Sequence, residues 1–147
     1  MTSTEDMLAQ VEKLFSASDC LVMAAAPADF KLKNSINQKI KKKPGQTDLV
    51  LELTQTPDIL KTMGKRKDQQ IVVGFAAETE NLLVNAQAKL ERKHADMIVA
   101  NDVSSGVFGS DKNQVYILQK GLEPVSWPEM TKKGIAKRLV NLIGKKM

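Results

Sequence analysis

Between Ala24 and Phe30 the chain reads Ala-Ala-Ala-Pro-Ala-Asp-Phe, small residues broken by one proline and followed by an acid and an aromatic. Small side chains let backbone approach a ligand closely, and in open α/β sheets ligands sit beyond the carboxyl ends of strands. The same segment also fits a tightly packed strand end with Asp29 capping a turn, and the residue types leave both readings open. Lys39-Ile40-Lys41-Lys42-Lys43 follows about ten residues later. Such a run is usually a solvated face, but a bound phosphate would order it through charge-assisted hydrogen bonds. Lys89 and Lys93 are four apart, a like-charge spacing that costs a few tenths of a kcal/mol on a helix unless an anion sits between them. Phe75, followed by Ala76-Ala77, could flank a base or simply fill the core. A Cys20/His94 nucleophile pair is set aside: Cys20 opens an apolar run, His94 ends a helical one, and cysteines of that kind are mostly buried. The chain has no G-x-G-x-x-G, no G-x-x-x-x-G-K-[ST], no G-x-S-x-G and no H-E-x-x-H, so the common phosphate loops and two common hydrolase signatures are absent.

The elements that must position these residues follow from periodicity. Thr2 with Glu5 has capping-box spacing, and Met7, Leu8, Val11, Leu14 and Phe15 make one apolar stripe, which predicts a helix from Thr4 to Ala17. Cys20 to Ala25 is short and continuously apolar, as a strand buried on both faces reads. Lys31 to Lys43 has no period and six lysines, and reads as a basic loop. Leu49, Leu51 and Leu53 alternate like a strand, and Thr56-Pro57-Asp58 offers an N-cap, a first-turn proline and an acid for a helix ending near Gly64. Ile71 to Phe75 and Met97 to Ala100 repeat the buried-strand pattern around a helix from Glu80 to Lys93. After a Gly/Ser/Asp loop from Asn101 to Lys112, a strand over Val115 to Leu118 turns at Gly121 onto an antiparallel partner at Pro124 to Trp127. A closing helix carries Ile135, Ala136, Leu139, Val140, Leu142 and Ile143. Helices alternating with short buried strands predict an α/β layer fold with a mostly parallel sheet, in one domain over residues 1–147.

Composition sets the outer limits. With 147 residues, 42% hydrophobic and 27% charged, the chain is in the ordinary globular class. Its longest apolar run falls far short of the ~18 residues a membrane span needs, and its acidic, polar start does not read as a signal peptide, so the expected address is the cytoplasm. One cysteine and one histidine cannot make an internal disulfide or a Cys/His zinc site. The net charge of +5 suits a polyanionic ligand. A non-catalytic module gripping nucleic acid through Lys31 to Lys43 is the rival reading. It is disfavoured because 4% aromatic residues leave few stacking platforms.

Seven blocks then stand in a particular order: Ala25-Ala26-x-Ala28-Asp29-Phe30, Lys39-Ile40-Lys41-Lys42, Thr56-Pro57-Asp58-Ile59-Leu60, Val73 to Thr79, Lys89-Leu90-x-x-Lys93-x-x-Asp96, Ile98 to Val103, and Phe108 to Asn113. From about Thr4 to Leu118 the chain resembles phosphopantothenate-cysteine ligase, usually the C-terminal half of the bifunctional coenzyme A biosynthesis flavoprotein. The resemblance implies a Rossmann-like three-layer fold with a C-terminal β-hairpin extension. It implies CTP-dependent ligation of 4'-phosphopantothenate to cysteine through an acyl-cytidylate, with Mg2+ carried on the triphosphate and FMN confined to a decarboxylase domain of the parent. It implies nucleotide contacts at Ala25, Ala26, Asp29, Lys39, Thr54, Gln55, Thr56, Pro57, Phe75, Lys89 and Lys93, and a catalytic role for Lys39 besides. A homodimer through strands around Asn113 to Trp127 is also implied, and neither nucleic acid nor membrane is an expected partner. Pro27 stands where the family has a small aliphatic residue. The family's Gly-rich start and Ser-Ser-Gly segment have no counterpart here, so the chain reads as a C-terminal part of the domain whose N-terminal strands are missing, with Cys20 to Ala25 at a sheet edge. Alone it is expected to bind CTP weakly and release no pyrophosphate. In the complete ligase, Lys39→Gln is expected to slow turnover far more than it weakens CTP binding, because a cation is needed most where phosphate charge develops. Steady-state kinetics beside calorimetry measure the two, and unchanged turnover would reduce Lys39 to part of a solvated run.

Overall fold

The computed structural model describes residues 2–34, 38–41, 44–45, 47–104 and 111–147. Helix α1 (Thr4–Phe15) leads to β1 (Cys20–Met23), then β2 (Phe30–Leu32), β3 (Leu53–Gln55), α2 (Ile59–Arg66), β4 (Ile71–Glu78), α3 (Leu82–Arg92) and β5 (Met97–Asp102). The chain continues through β6 (Lys112–Asn113), β7 (Tyr116–Gln119), β8 (Val125–Ser126), β9 (Met130–Thr131) and α4 (Lys132–Gly144). Five strands form one sheet in the order β1-β4-β5-β7-β8. β1, β4 and β5 are parallel to one another, and β7 and β8 complete the sheet as an antiparallel hairpin. Gly121, at φ 75°, supplies the left-handed residue in the turn between them.

Each central strand sends alternate side chains to opposite faces, which makes three layers. Val72, Ala76, Ile98, Ala100 and Leu118 bury against Phe15 of α1, Ile59, Leu60 and Met63 of α2, and Ala86 and Leu90 of α3. Val73, Met97, Val99 and Ile117 bury on the other face against Trp127 and against Ile135, Leu139 and Ile143 of α4. Arg138 stacks on the Trp127 ring 4.5 Å from its centroid, closing that layer. The molecule is therefore the expected α/β, Rossmann-like three-layer fold with its C-terminal hairpin, and β1 stands at a sheet edge.

Four local expectations are corrected. The capping box of α1 is Ser3 with Asp6, not Thr2 with Glu5: the Asp6 carboxylate accepts from the Ser3 and Thr2 amides while the Ser3 hydroxyl accepts from the Asp6 amide. Leu49 to Leu53 is not a strand. Leu49, Val50 and Leu51 are exposed, Val50 at 87%, so alternation there buries neither face, and only Leu53–Gln55 pairs, with β2. Lys31, read as loop, lies in β2 and ion-pairs Glu5 of α1, and Lys33 pairs Glu52 at 3.8 Å. The N-cap of α2 is Asp58, so Pro57 falls outside the helix. Lys42 and Lys43, together with residues 105–110, lie outside the described residues.

Gly64 sets the spacing of α2 and α3. A Cβ there would run into the Lys93 carbonyl oxygen and lie 3.0 Å from that of His94, both backbone atoms that cannot yield. Gly64→Ala is expected to destabilise the protein by about 1–3 kcal/mol, the cost of overpacking. Gly144→Ala, with nothing within 4 Å of its Cβ, should be neutral or stabilise by up to about 1 kcal/mol. Urea denaturation compares them, and equal effects would show that α2 and α3 can slide apart freely.

Candidate functional site

The parallel strands end at different heights. Met23, the last residue of β1, pairs with Gly74, in the middle of β4, which runs on to Glu78, and Phe75 to Glu78 of β4 pair with Val99 to Asp102 of β5. Above the stopped β1 the stagger leaves a cleft of about 420 Å³. Ala24 to Asp29 form one wall, with side chains small enough to expose backbone; Thr56, Pro57, Asp58 and Leu60 form another; Phe75, Ala77 and Asn101 come from the projecting ends of β4 and β5; Lys89 and Lys93 close it from α3. The Thr56 amide donates to the Asp29 carbonyl at 2.9 Å and its hydroxyl to the Ala28 carbonyl, which ties the first two walls together.

Lys93 caps the far end of α3, but helical side chains lean toward the helix N-terminus, and its ammonium reaches back to ion-pair the Asp58 carboxylate. The other Asp58 oxygen accepts from the Lys61 amide at 3.0 Å. Partial burial works to raise the Asp58 pKa, but hydrogen bonds from Lys93 and the Lys61 amide, with the charges of Lys93 and Lys61, outweigh it and hold the carboxyl below its ordinary value. Lys89 makes no ion pair among the described residues. Burial lowers its pKa most, Lys93 and Arg92 lower it further, and Glu78 and Asp29 oppose the shift. The cleft thus offers small-residue backbone, an aromatic face, a carboxamide and two cations of different character.

Of the sequence-predicted positions, Ala25, Ala26, Asp29, Thr56, Pro57, Phe75, Lys89 and Lys93 line this cleft. Thr54 and Gln55 do not; they are held in the β2–β3 ribbon opposite Lys31 and Phe30. Lys39 is exposed and outside the lining. Asp58 and Asn101 were missed as site residues. Asn101 had a signal, since it ends a buried parallel strand, where ligands collect. Asp58 had none beyond its cap, because its partner lies 35 residues away. Cys20 and His94 do not meet in the cleft.

The whole chain, residues 1–147, matches the family described as "DNA/pantothenate metabolism flavoprotein C-terminal domain". The chain belongs to that family. It is 43% identical over 132 residues to the coenzyme A biosynthesis bifunctional protein CoaBC of Bacillus subtilis, covering 88% of this chain and 32% of that protein. To the CoaBC protein of Borreliella burgdorferi it is 38% identical over 140 residues, covering 94% and 35%. It spans about a third of the length of these relatives. The crystal structure of a CoaBC C-terminal domain superposes with a TM-score of 0.76 at 34% identity, over 97% of this chain and 62% of that one. A Streptococcus pneumoniae flavoprotein of the family gives 0.79 at 21% identity, over 100% of this chain and 72% of that one, a likeness of fold. The family resemblance read from the seven blocks is borne out. No helix of the described residues is long and apolar enough to cross a membrane.

The depressed Asp58 pKa has a consequence for stability. An acid that is stronger folded than unfolded contributes stability above its unfolded value, ~3.9, and loses it as pH falls through the lower folded value. The pair is partly solvated, so the contribution is about 1 kcal/mol or less. Below about pH 4, Asp58→Asn is expected to flatten the acid loss of stability, measured by urea unfolding between pH 2 and 6. An unchanged acid limb would mean that solvent already satisfies the carboxylate.

Proposed function

We propose that the cleft binds the CTP of an acid–amine ligation in coenzyme A biosynthesis, the joining of 4'-phosphopantothenate to cysteine. The observation that carries this reading is the meeting of Ala24 to Asp29, Phe75, Lys89 and Lys93 in one cleft at the strands' carboxyl ends, in a chain of this family. In the reaction, a phosphopantothenate carboxylate oxygen attacks the α-phosphorus of CTP, the bond to the β-phosphate breaks, and pyrophosphate leaves. The cysteine amine then attacks the acyl-cytidylate carbonyl and expels CMP, losing a proton as the amide forms.

These residues serve the nucleotide side of that sequence. The Ala24 to Ala28 backbone can approach a pyrimidine, with Phe75 as an apolar neighbour and Asp29 as an acceptor for nucleotide hydroxyl or amino groups. Cationic side chains lower the cost of charge building on the transferring phosphate, and Lys39 is assigned to that task from the loop beyond β2. Among the described residues no three acidic, histidine or cysteine side chains gather as a metal cage. Mg2+ is assigned to the triphosphate substrate, whose phosphate oxygens suit a cation that keeps several of its waters. FMN chemistry belongs to a decarboxylase domain of a bifunctional parent and is not assigned to these residues. A homodimer through the strands near Asn113 to Trp127 is part of the same reading, and Lys31 and Lys33, spent on ion pairs with Glu5 and Glu52, weaken the rival polyanion-binding one.

If the alanine-rich backbone and Phe75 read cytosine, calorimetry on the complete ligase will show CTP binding at least tenfold tighter than ATP, about 1.4 kcal/mol. Equal affinities would remove the cytosine assignment and leave only a phosphate site.

A further inference from the structure

The wall of the cleft between β1 and β2 has little to stiffen it. Pairing with the sheet stops at Met23. The Ala24 amide donates to the Val22 carbonyl at 3.2 Å, and the next anchors are the carbonyls of Ala28 and Asp29, both held by Thr56. Between those points Ala25, Ala26 and Pro27 make no backbone hydrogen bond among the described residues, and the Ala28 amide meets no acceptor there either. Packing does not replace the missing bonds. Ala24, Ala25, Ala26 and Ala28 are exposed. Pro27 and Ala28 border open space on two sides, the cleft and a second hollow of about 440 Å³ beside the first turn of α1. Each unrestrained backbone residue that a ligand must order costs entropy. Pro27, half-buried, is the exception in the segment. Its ring fixes its own φ near about −65° and drives Ala26 out of the helical region toward extended conformations. One side chain thus restrains two of the three residues that hydrogen bonds leave free.

We propose that Pro27 is a positioning residue that sets the Ala24 to Ala28 wall in its ligand-bound shape before the ligand arrives. This rests on the nucleotide reading of the cleft and deepens it. A wall already in that shape meets its ligand with a smaller loss of chain entropy. Without the ring, residues 26 and 27 move in the empty cleft and the ligand must order them, although its contacts with the wall are the same. Affinity should therefore follow the backbone freedom of residue 27, falling from Pro to Ala and again from Ala to Gly, which differ by one methyl group.

The test joins 15N relaxation of the empty chain to amide-shift titrations with CTP at several temperatures. In the unmodified chain the amides of Ala25, Ala26 and Ala28 should show order parameters of about 0.8, as in rigid backbone, and in Pro27→Gly they should fall below about 0.6. Val73 and Val99, in β4 and β5, should stay unchanged and so report an intact sheet. Pro27→Ala is expected to bind CTP two- to fivefold more weakly and Pro27→Gly at least tenfold, with the enthalpy from the temperature series unchanged. Pro124→Ala, ahead of β8 and outside the cleft lining, is the control for losing a proline and should alter neither readout. Ala and Gly variants that bind alike would overturn the proposal, and so would a loss of affinity carried by enthalpy, which would make Pro27 an ordinary contact. Relaxation of the empty chain separates this from failure of the nucleotide reading. If CTP does not bind even the unmodified chain, that reading falls, and the order parameters alone decide whether Pro27 sets the wall. A wall already mobile with Pro27 in place, or one that stays rigid in Pro27→Gly, makes the proposal wrong whatever the ligand.

Discussion

The stagger between β1 and β4 is the constraint on which the cleft depends. Parallel pairing fixes Met23 beside Gly74, so β1 stops where β4 is half complete, and the chain leaving β1 must cross in front of four further β4 residues. Only a segment that fills little space can cross there and still leave a cavity. Ala24 to Ala28, with Pro27 preventing a continued ladder, meets that demand. Gly74 matters for the same reason, since a Cβ there would lie 2.5 Å from a Leu60 methyl and 2.9 Å from one of Ile98. Side-chain size near residue 74 thus decides how closely α2 lies on the sheet, and with it the depth of the cleft floor.

A second constraint holds the cleft's charged wall. Helix α2 is tied near both ends to residues around α3 and β5: Asp58 to Lys93, and Lys67 to Asp96. Asp96 also accepts from the Val72 amide at 2.8 Å, which joins the second tie to β4. His94, at φ 54°, turns the chain sharply between α3 and β5, so the Lys93 carbonyl faces Gly64 rather than continuing a helix. Two ion pairs of this kind add little to global stability when partly solvated. Their effect is to fix where α2 sits, and a cleft wall requires position more than strength.

The sequence made these features legible to different degrees. β4 and β5 were visible because strands covered on both faces are continuous apolar runs, and the helices because each has one buried stripe; β1 carries the same kind of run, but at the sheet edge it is not buried on both faces as expected, since Val22 is exposed. At Ala24 to Asp29 the cleft was one of two readings left open, since small residues at the end of such a run suit a ligand's approach and a tightly packed strand end equally. The β2–β3 ribbon was not visible. Phe30, Leu32 and Leu53 stay exposed, so no hydrophobic pattern separates the paired residues 53–55 from the unpaired Leu49 to Leu51. The Asp58–Lys93 pair was not visible either, because an N-cap aspartate looks the same whether or not a distant lysine uses its second oxygen. The family resemblance did not depend on those details, because the seven blocks are spread along the sequence from Ala25 to Asn113.

Charge makes the last connection between composition and site, and it corrects the simplest reading of composition. Residues 1–128 hold sixteen basic and sixteen acidic side chains, so the net charge of +5 lies in residues 129–147, with six basic residues against Glu129 alone. That basic surplus surrounds α4, on the face of the sheet opposite α1, α2 and α3. The cleft itself is lined by Asp29, Asp58, Lys89 and Lys93, two charges of each sign. Net positive charge would attract any polyanion, whereas balanced charges at fixed positions favour a ligand whose own charges match them in place. Affinity from net charge falls steeply with salt. Specificity from placed charges depends instead on the rigidity of the walls that hold them, which is what the stagger of β1, the missing side chain at Gly64 and the two-sided grip on Asp58 provide.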